Sequence, residues 1–128
     1  RTPGLYIQFS AREAGLYSGI YQPAKEDLHK VREAIAIEPD KFAALLKEPA
    51  FVEKTGGKIE GDRNKRIPKE FKEAAERQPL MYQKTFLYKQ ILPPETLLRE
   101  DLPDVLVDFY LAVRPLNQFL TEAIQFEE

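Results

Sequence analysis

A chain of 128 residues, 43% hydrophobic and 31% charged, has the make-up of one folded domain with a real core, and its net charge of −2 argues against general nucleic-acid binding. With no cysteine and one histidine, disulfides, thiolate nucleophiles, Cys-based zinc sites and His-rich metal sites are excluded, and no cofactor or metal is expected. Ten prolines fall between apolar runs and act as punctuation, while the longest apolar stretch, 105–113, is broken by Asp108 and too short to span a bilayer.

In chain order, residues 4–10 (GLYIQFS) and 14–22 (AGLYSGIYQ) are rich in aromatic and β-branched side chains. Joined by the polar Ala11, Arg12 and Glu13, they predict an antiparallel hairpin. Leu5, Ile7 and Phe9 share one face, Leu16 falls opposite Tyr17 and Gly19, and Gly15 or Gly19 marks a bulge or a close backbone contact. Pro23 opens a helix over 23–37, with Leu28, Val31, Ala34 and Ile35 as its apolar stripe. Pro39 restarts helix over 40–47 with Phe42, Leu45 and Leu46 inward, and Pro49 is expected to end it.

Gly56 and Gly57 predict a turn, and 58–60 and 65–67 are expected to pair as short strands. Pro68 begins a short helix to about residue 77 with Phe71, Ala74 and Ala75 inward; 82–91 (YQKTFLYKQI) has the content of a strand, stopped by Pro93 and Pro94. Over 98–126 apolar residues recur every three or four positions, from Leu102 and Phe109 to Leu120 and Ile124, which predicts the longest helix. Pro115 removes the hydrogen bond to residue 111 and should kink it. The predicted fold is α+β: a small antiparallel sheet with an N-terminal hairpin, covered by helices near 23–37, 39–48, 68–77 and 100–125, the last long and Pro-kinked.

Charge is unevenly spread. Residues 54–94 carry ten Lys/Arg against five Asp/Glu, whereas 95–128 carry two against eight. The most basic short segment is 59–71 (IEGDRNKRIPKEF), with Arg63, Lys65, Arg66 and Lys69 about one proline. An arginine fork suits phosphate or carboxylate and lysine supplies a point charge, so this segment is the candidate anion site. A solvated loop complementing the acidic tail explains the same residues, and in an extended chain Arg66 points away from Arg63 and Lys65.

Other chemistry-bearing residues favour structural roles. His29 has no partner at triad or metal spacing, and Asp101, Asp104 and Asp108 complement a helix N-terminus. Gly56, Gly57 and Gly61 lack phosphate-loop spacing. Tyr6, Tyr17 and Tyr21 have the chemistry to stack on bases, but pleated-sheet packing explains them as well.

Several of these residues, taken together, resemble the bacterial and fungal family of domain of unknown function 2461 (DUF2461). Gly4, Tyr6, Gly19, Pro23, Leu28 and Arg32 fall in the family's order of tyrosine-bearing strand, glycine-rich strand, proline and helix. Gly61, Lys65, Arg66 and Pro68 match its Gly-x-x-x-Lys-Arg-x-Pro pattern, Lys84 and Phe86 its Lys-x-Phe, and Pro115, Leu116, Phe119 and Leu120 its closing helix. The chain departs from the family at Tyr17-Ser18, where glycines are usual, at Lys69-Glu70 after the proline, and at Ala74-Ala75-Glu76 in place of Asp-His-Pro. That last change removes support for any activity needing the family histidine.

The resemblance implies that residues 1–128 are the C-terminal part of a longer family domain, an expectation shared by a chain that starts at Arg1 and not at Met. An exposed sheet edge or apolar face is then expected, open to the N-terminal segment or to a second copy in a homodimer. The resemblance carries no established reaction. Two functions are expected: a soluble, cytoplasmic binding module in which Arg63, Lys65 and Arg66, with Arg32 and Lys84, hold a small anionic ligand, or an enzyme with its site between this segment and the N-terminal part, using Tyr17 and Tyr21. Neither membrane nor nucleic acid is an expected partner.

Overall fold

The computed structural model describes residues 3–9 and 12–125, with the backbone alone at Phe9. The expectations for Arg1, for Ser10 and Ala11 in the hairpin joint, and for Phe126 at the end of the last helix lie outside these residues.

Three antiparallel strands, β1 (Gly4–Phe9), β2 (Ala14–Ile20) and β3 (Phe86–Leu92), form a sheet in the order β1-β2-β3. The register sets Tyr6 opposite Tyr17 and Tyr17 opposite Lys89. Side chains alternate, so Leu16, Ile20, Phe86 and Tyr88 share one face and Gly15, Tyr17, Gly19 and Lys89 the other. The first set is buried in the core. Gly19 is the close contact that the sequence foreshadows. At φ +121°, a Cβ there would stand 1.9 Å from the Phe86 carbonyl oxygen, so only glycine lets β2 and β3 approach.

Five helices follow from the proline punctuation, with one correction. After α1 (Lys25–Ile37), α2 (Pro39–Leu46) ends before Pro49 as expected, but Pro49 also opens a third helix, α3 (Pro49–Thr55), where none was expected. Proline lacks only an N–H that the first helical position leaves unpaired anyway. Gly56, left-handed at φ +76°, caps α3 by donating its N–H to the Val52 carbonyl at 2.8 Å. A 3-10 turn at Lys69–Phe71 leads into α4 (Lys72–Arg77), and another at Pro79–Tyr82 takes the first residue expected of the strand. The last helix, α5 (Leu102–Gln125), continues through Pro115. Leu111, whose carbonyl loses its intrahelical partner there, lies on the solvent-exposed side of the helix.

A second correction concerns the basic segment. Residues 58–60 and 65–67 do not pair with each other; the chain instead runs antiparallel along the outer edge of β3. Glu60 and Leu87 exchange backbone hydrogen bonds of 2.7 and 2.9 Å, Lys84 N–H donates to the Asp62 carbonyl at 2.7 Å, and Asn64 N–H to the Tyr82 carbonyl at 2.7 Å. Gly61 permits this: at φ +122° a Cβ would lie 2.7 Å from Thr85.

The core lies between the sheet and the helices. Phe51 meets Tyr88 edge-on at 5.5 Å between centroids, and Phe42 packs on Phe119 at 5.6 Å; each buried ring contributes on the order of 2 kcal/mol. Ser18, buried at the centre of β2, donates its hydroxyl to the Gly4 carbonyl at 2.7 Å and accepts from the Asn117 amide of α5 at 2.9 Å. Asn117 in turn accepts from the Tyr88 hydroxyl, so one polar chain links both edge strands to α5. The helices cover β2 and β3 but leave the margin at β1, where Leu5 and Ile7 are each 46% exposed. Among the described residues β1 is an end strand of the sheet.

Candidate functional site

The basic segment is fixed by backbone pairing to β3, and a polar knot ties it to the end of β2. Gln22, at φ 46°, donates its N–H to the Thr85 hydroxyl at 3.0 Å. The buried amide of Gln83 donates to the carbonyls of Thr85, at 2.9 Å, and Gly61, at 3.3 Å. Three chain segments, around 21–22, 61–64 and 79–85, thus meet at one end of the sheet.

Two of the three candidate arginines, Arg32 and Arg63, hold this end through the 79–83 backbone. Arg32, 5% exposed, donates Nε to the Met81 carbonyl at 2.8 Å and Nη2 to the Gln83 carbonyl at 3.4 Å. Burial lowers its pKa from an ordinary value far above neutrality, so the guanidinium stays charged and its fork is occupied by backbone. Arg63, on the surface, donates Nη2 to the Pro79 carbonyl at 3.1 Å. Both are braces of the 79–83 segment.

Lys65, Arg66 and Lys84 are exposed, and among the described residues none of them makes a side-chain hydrogen bond or ion pair. Tyr21, 60% exposed, stands at the same end of the sheet beside Gln22. Tyr17 does not join them directly, since it stands four residue steps along the chain from Tyr21, about 13 Å in extended backbone. Its ring lies along the uncovered face over Gly15, where a Cβ would come within 2.5 Å of Cε1, and Tyr6 lies likewise over Gly4 at 2.9 Å. The structure therefore gathers Arg32, Arg63, Lys84 and Tyr21 about residues 79–85 and sets Lys65 and Arg66 just beyond, with Tyr17 apart.

Lys89, Glu60 and Gln83, absent from the sequence-based set, belong to this region. Lys89, opposite Tyr17, makes a 3.2 Å ion pair with Glu60, whose hydrogen bond and charge raise the lysine pKa. Gln83 carries the knot. The alternation Leu87-Lys89-Ile91 signals that Lys89 shares a face with its neighbours, but only the register reveals Tyr17 across from it. His29 packs 5.3 Å from Phe71 and 3.7 Å from Glu33 on the rim of α1, in keeping with an edge-packing role. Among the described residues no group of three or more His, Asp or Glu is placed to hold a metal ion, and no ion pair joins the basic segment to the acids of 95–125. Among the described residues no helix is long and apolar enough to cross a membrane.

Fold and surface together define an α+β domain in which helices cover one face of a three-stranded antiparallel sheet and a basic, strand-like segment lines its β3 edge. The chain belongs to the family described as conserved hypothetical protein DUF2461, whose family model matches residues 1–119. No curated protein and no solved structure matches it.

Proposed function

We propose that the protein is a non-enzymatic binding module for an anionic ligand bearing phosphate or carboxylate. The observation that carries this reading is a division of labour among the cations. Arg32 and Arg63 hold the 79–83 backbone, while Lys65, Arg66 and Lys84 stand exposed near it, with no side-chain partner among the described residues. Unpaired cations on a braced scaffold supply charge-assisted contacts without first breaking internal ones. Tyr21 offers an aromatic wall beside them, and the uncovered face with Tyr17 and Tyr6 extends that surface for a ligand with a planar ring.

Phenyl phosphate, which combines both chemistries, is the probe. Titrated into the 15N-labelled chain, it is expected to shift the amides of 61–66 and 82–86, with affinity falling as salt rises from 20 to 200 mM. Arg66→Ala and Lys65→Ala each cost about 1 kcal/mol at these exposed sites, about fivefold in Kd. Salt-insensitive binding, or none, removes the reading.

A further inference from the structure

A half-open cavity of about 320 Å³ lies between α1, α2 and α5. Helical spacing assembles it: Lys30, Glu33, Ala34 and Ile37 follow one face of α1, and Phe119, Glu122 and Ala123 one face of α5. Its apolar body is Ala34, Ile37, Phe119 and Ala123; Glu38 and Lys41 complete the rim.

Among the described residues, three carboxylates line the cavity against two ammonium groups, and both ammoniums are engaged. Lys30 Nζ donates to the Ile124 carbonyl at 3.2 Å. Lys41 Nζ lies 3.9 Å from Glu38 Oε1 and 5.9 Å from the centre of the Phe119 ring. The last turn of α1 adds the negative end of a helix dipole and contains no basic residue. The start of α2 opposes this with its positive end, but Asp40 in its first turn offsets part of that field. The balance of charge is negative, and the aromatic ring beneath it already has an ammonium within cation–π range.

We propose that this cavity binds a small organic cation with an apolar body, an alkylammonium or arylalkylammonium. Its headgroup takes the place of the Lys41 ammonium near Phe119, among Glu33, Glu38 and Glu122, and its hydrocarbon lies against Ala34, Ile37 and Ala123. The volume is at the small end for ligand sites and matches a molecule of this size. This proposal is independent of the anion reading, since it uses none of the same residues.

The test titrates the 15N-labelled chain with n-hexylamine, charged at neutral pH, and with n-hexanol, of equal length and uncharged. Hexylammonium is expected to shift amides of 33–41 and 119–123 with a Kd on the order of 1 mM, and hexanol to bind at least fivefold more weakly. Glu33→Gln and Glu122→Gln each weaken hexylammonium two- to fivefold. Lys41→Ala strengthens it at least threefold, because it removes the resident cation and leaves Glu38 unpaired. These three positions are exposed, so their variants keep the fold. Hexanol binding as tightly as hexylammonium, Lys41→Ala leaving affinity unchanged or lower, or no shift at 20 mM overturns the proposal.

Discussion

Replacing Gly19 by alanine tests whether the sheet is held by a backbone approach that no side chain tolerates. The new Cβ would meet the Phe86 carbonyl oxygen at 1.9 Å and the Leu87 Cα at 3.2 Å. Both belong to the β3 backbone, so neither rotates aside and the strands must part. The positive φ costs about 2 kcal/mol, and loosening two ladder hydrogen bonds adds about 2 kcal/mol more. Gly56→Ala is the natural comparison: its φ is +76°, but the nearest atom, Lys58 Cδ, is 3.9 Å away. Only the dihedral is then strained, at about 1 kcal/mol. For a chain of this size each kcal/mol shifts Tm by about 4 °C, so thermal unfolding followed by circular dichroism should fall by about 15 °C for Gly19→Ala and about 4 °C for Gly56→Ala. Equal losses in the two variants would refute the steric argument and leave Gly19 a matter of dihedral preference alone.

Arg32→Met should lower the urea midpoint by an amount equivalent to about 3 kcal/mol, because the Met81 and Gln83 carbonyls lose a charged donor in a buried place. Arg32→Lys, which keeps the charge but not the fork, should recover less than half of that loss. Tyr88 gives the pH dependence: burial pushes its phenol well above the ordinary value of 10.0. The native state therefore keeps a proton that the unfolded chain releases, and its contribution is intact below about pH 10 and declines as pH rises beyond it. Urea midpoints measured from pH 8 to 11 should show this alkaline decline, and Tyr88→Phe should flatten it while costing about 1 kcal/mol at pH 7 through the lost bond to Asn117.

The hairpin is legible in the chain because aromatic and β-branched residues alternate within two short runs, and α5 because eight apolar residues keep helical spacing. Pro49 is ambiguous by nature. The same ring that breaks a helix interior is favoured at a helix start, and only the following residues’ packing, with Phe51 against Tyr88, decides between them. The pairing of 60–64 with β3 depends on the Gln83 amide and on Gly61 fitting against Thr85, contacts more than twenty residues apart that local pattern does not encode. At the candidate site, the basic segment is visible as a charge cluster, but the split into braces and free cations is not. Arg32 does leave a trace: it sits between Leu28 and Ile35 at helical spacing, on the buried stripe, which marks a guanidinium destined for interior carbonyls.

The chain of bonds from Gly4 through Ser18 and Asn117 to Tyr88 spans ninety-nine positions at the Asn117–Ser18 step. Strand β1 is thus fastened by a residue of α5, which is synthesised well after it. Until that helix docks, the leading hairpin has its local ladder but no interior anchor, and its final seating must wait on completion of the fold. Assembly is in this sense closed from the far end, with the amide of one asparagine acting as the clasp.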